Sequence, residues 1–132
     1  MNILVDTSVW SLSLRRKSGA AAPQSKLLQE YILSGERICL IGIILQEILQ
    51  GIRNEIQFNK LKSYFEAFPI ISLDRDAHVH AAVLSNTCRR SGIQISTVDS
   101  LIASAAILHG FYLLTADEDF RRIKRIVPLQ LL

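Results

Sequence analysis

The sequence predicts an α/β fold built on a mainly parallel sheet. Short apolar, β-branched runs alternate with helix-period stretches along the whole chain, and turn residues separate them. Those runs are continuous rather than alternating, as expected of strands covered on both faces. Asn2–Val5 reads as the first buried strand, running directly into a helix through Asp6-Thr7-Ser8-Val9-Trp10. Residues 15–23, with Arg15-Arg16-Lys17, Gly19 and Pro23, read as a loop. Gln24–Leu33 places Leu27, Leu28, Tyr31 and Ile32 on one helical face, with Gly35 as its stop.

Ile38–Ile41 is the second strand, followed by helices over about 43–51 and 55–67. Pro69–Leu73 is expected to be a third strand. Asp74 or Asp76 then caps a long helix to Arg90 that Gly92 closes. Thr97–His109 is the most regular helix, with Val98, Leu101, Ile102 and Ala105 at core spacing and Gly110 after it. Tyr112–Leu114 reads as a strand, 117–122 as a short helix and Val127–Leu131 as a closing strand. The 132 residues contain no repeat or low-complexity segment and fit one domain over 1–132 with a core of its own.

Composition narrows the function classes. Apolar residues make up 49% of the chain and charged ones 20%, ordinary for a globular protein. The longest apolar run, Ile38–Leu45, is far short of the ~20 residues of a membrane span, and the N-terminus lacks a signal peptide's basic region. A cytoplasmic protein without membrane contact is expected. Cys39 and Cys88 have neither disulfide nor metal-site spacing and read as small hydrophobes. Fifteen basic residues face twelve acidic ones, a net charge of +3. With four acids gathered in one site, fifteen would face eight, and the remaining +7 would suit a polyanion.

In parallel sheets, ligands bind beyond the carboxyl ends of the strands. Asp6 follows the first strand, Asp117 follows Tyr112–Leu114 after Thr115-Ala116, and Glu47 and Asp99 lie early in the helices beyond. All four converge on one sheet edge if the strands are parallel. Each acid also has a plain structural use. Asp6 and Asp117 suit helix caps, and Asp99 suits a capping box with Ser96, as Glu118 does with Thr115. Glu47 fits such a use least, since at ~100° per residue it falls between Ile43 and Ile44 and needs a partner.

Two carboxylates 4 Å apart repel by ~4 kcal/mol at an effective dielectric of 20, so a cluster calls for a cation. Oxygen ligands without Cys or His favour Mg²⁺ or Mn²⁺, ions suited to phosphoryl chemistry. His78, His80 and His109 lack ligand spacing, and no Ser/His/Asp triad, Walker A loop or dinucleotide glycine pattern is present.

The segments Leu4–Trp10, the Glu47 helix, Thr97–Ala106 and Leu114–Phe120, in that order, resemble PIN-domain nucleases, and within them the VapC-type toxins of bacterial toxin–antitoxin pairs. The resemblance implies a three-layer α/β/α domain and a metal-dependent endoribonuclease that hydrolyses RNA through a metal-activated water. It assigns Asp6, Glu47, Asp99 and Asp117 as catalytic and metal-binding acids for Mg²⁺ or Mn²⁺. Ser8 and Thr115 become auxiliary hydrogen-bonding residues, Asp119 an alternative to Asp117, and Glu55 a fallback for Glu47. It also implies a homodimer and a cognate antitoxin covering the cleft.

Basic clusters at Arg15-Arg16-Lys17, Arg89-Arg90 and Arg121–Arg125 are candidates to guide RNA, with Arg15 and Arg16 the foremost. An aspartyl-phosphate phosphohydrolase fits poorly, because the position two after Asp6 is Ser8, and a phosphoacceptor domain lacks its late Lys. The alternative from another class is a non-catalytic PIN-fold module acting through protein or RNA contacts.

Overall fold

Four parallel strands in the order β3-β2-β1-β4 form the centre of the molecule, with β1 flanked on both sides. A computed structural model of the chain describes residues 1–14 and 22–132, so Arg15 and Arg16 lie outside the described residues. The elements run β1 (Asn2–Val5), α1 (Thr7–Leu14), α2 (Pro23–Leu33), β2 (Arg37–Ile41), α3 (Gly42–Leu49) and α4 (Glu55–Phe65). They continue with β3 (Ile70–Ile71), α5 (Arg75–Arg90), α6 (Thr97–His109), β4 (Tyr112–Leu114) and α7 (Asp119–Lys124). No helix among the described residues is long and apolar enough to cross a membrane.

The strand order explains the layers. From β1 the chain steps to β2 and β3 on one side, then crosses back to place β4 on the other. Parallel crossovers are right-handed, so the reversal puts α5 and α6 on the face opposite α1–α4, giving three α/β/α layers. Ile3, Leu4, Val5, Cys39, Leu40, Ile41, Leu113 and Leu114 are wholly buried, which accounts for the uninterrupted apolar runs. Both cysteines are free and buried, and burial pushes both thiols up, consistent with a packing role.

Register positions the site. Leu4 pairs with Cys39 on one side and Leu113 on the other, and the Asp6 N–H donates to the Leu114 carbonyl at 3.0 Å. The residues that leave β1 and β4 therefore emerge together at the point where the strand order reverses, the ligand-binding crevice of open α/β sheets. No loop separates Asp6 from α1, and Trp10 locks that helix into an aromatic cluster. Its ring centroid lies 4.8 Å from that of Phe65 and 5.2 Å from that of Phe68, both edge-on.

Helix boundaries reflect local chemistry. Asn54, Asp74 and Ser96 accept hydrogen bonds from the backbone N–H three residues on, capping α4, α5 and α6. Asp74, not Asp76, is thus the cap of the long helix. Gly110, at φ 68°, ends α6 in the left-handed conformation.

Three expected elements differ. β3 shrinks to two residues at the sheet edge. The short helix begins at Asp119 rather than 117, because the Asp117 carboxylate accepts from the Asp119 N–H at 3.0 Å and sets a turn before it. Val127–Leu131 is not a strand and makes only the single bridge Leu113–Leu131. Pro128 has no N–H to donate, and the Leu129 N–H bonds back to the Val127 carbonyl at 2.8 Å, curling the segment.

Phe120, with no exposed surface, pins the start of α7 beneath the acids that precede it. Phe120→Ala is expected to destabilise the protein by roughly 3–5 kcal/mol, measured by urea unfolding. A loss below about 1 kcal/mol would show that α7 is not anchored through this ring.

Candidate metal centre

The residues singled out in the sequence fall on four stretches: Asp6–Ser8 after β1, Glu47 in α3, Asp99 in the first turn of α6, and Thr115–Asp119 after β4. Asp6 is the most enclosed acid, 5% exposed, and a buried carboxylate must be hydrogen-bonded to persist. Ser8 Oγ and Thr115 Oγ1 both donate to its Oδ2, each at 2.8 Å. The same hydroxyls accept from backbone: the Ala116 N–H donates to Ser8 Oγ and the Asp117 N–H to Thr115 Oγ1, each at 3.0 Å. Two peptide dipoles are thereby relayed onto Asp6 through two side chains. Ser8 and Thr115, singled out in the sequence as hydrogen-bonding neighbours of the acids, both meet the Asp6 carboxylate.

Asp99, Asp117 and Asp119 offer carboxylate oxygens that all lie within 4.8 Å of one another. At that separation a charged pair repels by about 3 kcal/mol at an effective dielectric of 20. Asp99 carries the consequence. Partial burial first, then the charges of Asp6 and Asp117, raise its pKa to about 6, against the opposing hydrogen bond with Ser96. Arg122 lies 3.6 Å from Asp119 in an exposed pair.

Of the four acids expected to converge, the structure thus gathers Asp99 and Asp117, with Asp6 close enough to act on Asp99 electrostatically. Asp119 joins as a full member of the cluster, not merely as a substitute for Asp117. Glu47 stands outside that triplet. Its Oε1 accepts from Thr7 Oγ1 at 2.8 Å, and it forms one wall of a groove of about 550 Å³ between α1, α3 and α4. Ser11, Ile48, Gln57, Lys60 and Tyr64 also line the groove. Glu55 is exposed in the first turn of α4.

The Thr7–Glu47 hydrogen bond is the contact that sequence reasoning missed. The available signal was a hydroxyl at the first helical position, beside an acid already singled out. The histidines behave as expected of structural or surface residues. His80 Nδ1 meets Ser104 Oγ at 2.5 Å and ties α5 to α6, while His78 and His109 are exposed. Arg121, Arg122, Lys124 and Arg125 are exposed on and just after α7, directly beyond the acidic cluster.

The chain matches the PIN domain family over residues 3–126. Ribonuclease VapC11 of Mycobacterium tuberculosis (strain ATCC 25618 / H37Rv) is 33% identical over 131 residues, covering 97% of this chain and 96% of that protein. In VapBC2 from Rickettsia felis, solved bound to a DNA fragment from the promoter, one chain superposes with a TM-score of 0.80 at 22% identity. That match covers 100% of this chain and 98% of the other. A toxin–antitoxin complex from Klebsiella pneumoniae gives a TM-score of 0.71 at 22% identity, over 98% of this chain and 99% of that one. At these identities the solved structures establish the shared fold.

A carboxyl with a pKa of about 6 in the fold and ~3.9 unfolded binds more protons when folded. Its stabilising contribution is therefore full below about pH 4 and lost as pH rises through about 6. In EDTA, Asp99→Asn is expected to melt higher than the wild type at pH 7.5, with the two converging near pH 4. Thermal melts across that range measure it; a gap independent of pH would remove the crowding inferred at Asp99.

Proposed function

The chain belongs to the PIN-domain family and, within it, to the VapC ribonucleases, and on that footing we propose that it is a metal-dependent endoribonuclease acting as the toxin of a toxin–antitoxin pair. The observation that carries the chemistry is the Asp99/Asp117/Asp119 triplet beside Asp6. The donor set is all carboxylate, without thiol or imidazole, and short of positive charge among the described residues. Such a set fits a hard divalent ion, Mg²⁺ or Mn²⁺. When bound there, the ion supplies Lewis-acid polarisation of a phosphoryl oxygen and acidifies a water for attack on phosphorus.

The residues of the chain do the positioning. Asp6, Glu47, Asp99 and Asp117 form the proposed ligand quartet, with Asp119 as an additional oxygen donor. Ser8 and Thr115 hold the Asp6 carboxylate in one orientation by bonding a single oxygen, so its geometry is set before any ligand arrives. We assign the exposed cations of α7, which follow the acidic cluster in sequence, to the neutralisation of RNA phosphates.

The neighbouring complex from Klebsiella pneumoniae supports an antitoxin partner. We assign the groove beside Glu47 to such a partner, which would there cover one wall of the proposed site. A cytoplasmic homodimer is the working state we propose with it, as the resemblance to VapC-type toxins implies.

Partner-free protein incubated with structured and single-stranded RNA is expected to cut in Mg²⁺ or Mn²⁺ and not in EDTA. Changing residues that merely orient metal ligands commonly costs 10–100-fold. Folded Asp6→Asn and Asp99→Asn should therefore fall below about one-hundredth of wild-type cleavage. Equal cutting by wild type and both variants would assign the activity to a contaminant and remove the acids from the reaction. Metal binding without any cleavage across a broad RNA set would favour a binding module.

A further inference from the structure

We infer that Thr7 is a positioning residue for Glu47, fixing that carboxylate for the divalent ion; the inference rests on the metal-dependent reading above. Thr7 Oγ1 donates to Glu47 Oε1 at 2.8 Å across forty residues of sequence, joining the start of α1 to the middle of α3. Within a helix, a threonine hydroxyl commonly bonds a carbonyl one turn back. Thr7 is the first residue of α1, so no preceding turn supplies one, and its hydroxyl is available to a neighbouring element.

Glu47 needs such an anchor. It is half-buried on a mainly apolar helix, and no Lys or Arg of the described residues pairs with it. Its three side-chain torsions would otherwise leave the carboxylate spread over several rotamers. Bonding Oε1 leaves Oε2 as the oxygen not engaged by Thr7. Ser8, the next residue, does the same for Asp6 by bonding Oδ2. Two consecutive hydroxyls on one rigid helix start thus set two acids from different elements relative to each other. Because Trp10 locks that helix into the core, their separation is tied to the packing of the domain.

A purely structural tie between α1 and α3 would use the same hydrogen bond, so the test reads metal affinity and not stability or turnover. Mn²⁺ binding to partner-free protein is measured by isothermal titration calorimetry. The set is wild type, Thr7→Val, Thr7→Ala, Thr7→Ser, Glu47→Ala and the double variant Thr7→Val/Glu47→Ala, each checked for folding by circular dichroism. Thr7→Val, which keeps the shape and removes the donor, is expected to weaken Mn²⁺ binding by roughly 10–100-fold. Thr7→Ser should restore it, and Thr7→Val should add nothing in the Glu47→Ala background. Thr7→Ala carries the comparison if the valine variant does not fold.

Unchanged affinity in the folded variants lacking the hydroxyl, or an equal loss with and without Glu47, overturns the role of Thr7 while the metal site stands. Full affinity in Glu47→Ala likewise overturns it, by removing Glu47 as a ligand. A wild type that binds no Mn²⁺ overturns the metal reading itself, and this inference with it.

Discussion

Crowded negative charge is the constraint on which the site depends. Three carboxylates lie within 4.8 Å of one another, and a fourth lies near enough to help push one of them to a pKa of about 6. Such crowding opposes folding, so it persists only because the frame around it is stiff and the acids have local donors. The donors are identifiable: hydroxyls of Ser8 and Thr115 on Asp6, the Asp119 N–H on Asp117, and the first turn of α6 around Asp99. A helix N-terminus favours an anion in its first turn by a few tenths of a kcal/mol to about 1 kcal/mol. None of these groups carries a full positive charge, so repulsion is moderated and not removed.

The frame is the sheet. β1 is central, wholly buried after its first residue and registered against both neighbours, so the residues leaving β1 and β4 have little freedom relative to one another. The reversal of strand order at this place opens the crevice and puts α1 and α6 on opposite faces. Contributions from both helical layers can then reach one spot. A purely sequential sheet would have left Asp6 and Thr115–Asp119 at distant edges.

Much of this was legible in the sequence, for physical reasons. β1 and β2 are recognisable because burial on both faces demands continuous apolar runs, and α6 because its period and its Ser96 and Gly110 ends agree. The acids stand out because sheet topology places ligand sites just past the strand ends, where Asp6 and Asp117 lie. Hidden from the sequence were features that depend on how side chains meet after folding. Asp119 enters the cluster through a turn that Asp117 itself sets. Thr7 reaches Glu47 only because α1 begins without a loop. The apolar tail 127–131 looked like a strand, but Pro128 and the turn at Leu129 deny it a ladder.

The structural and chemical readings of these acids do not compete. The Asp99 N–H bonds the Ser96 cap while its carboxylate belongs to the cluster, and Asp117 caps a turn with one oxygen while lying within reach of two other acids. A residue engaged through its backbone or one oxygen keeps chemistry available on the remainder. The same logic bears on charge. A lysine built into the cluster would relieve the repulsion permanently and occupy the place of an incoming cation. The pair present instead, Arg122 with Asp119, is exposed on both sides at 3.6 Å, and pairs of that kind contribute little. It can yield Asp119 at small cost, so the charge set against the acids by the described residues is small and exchangeable.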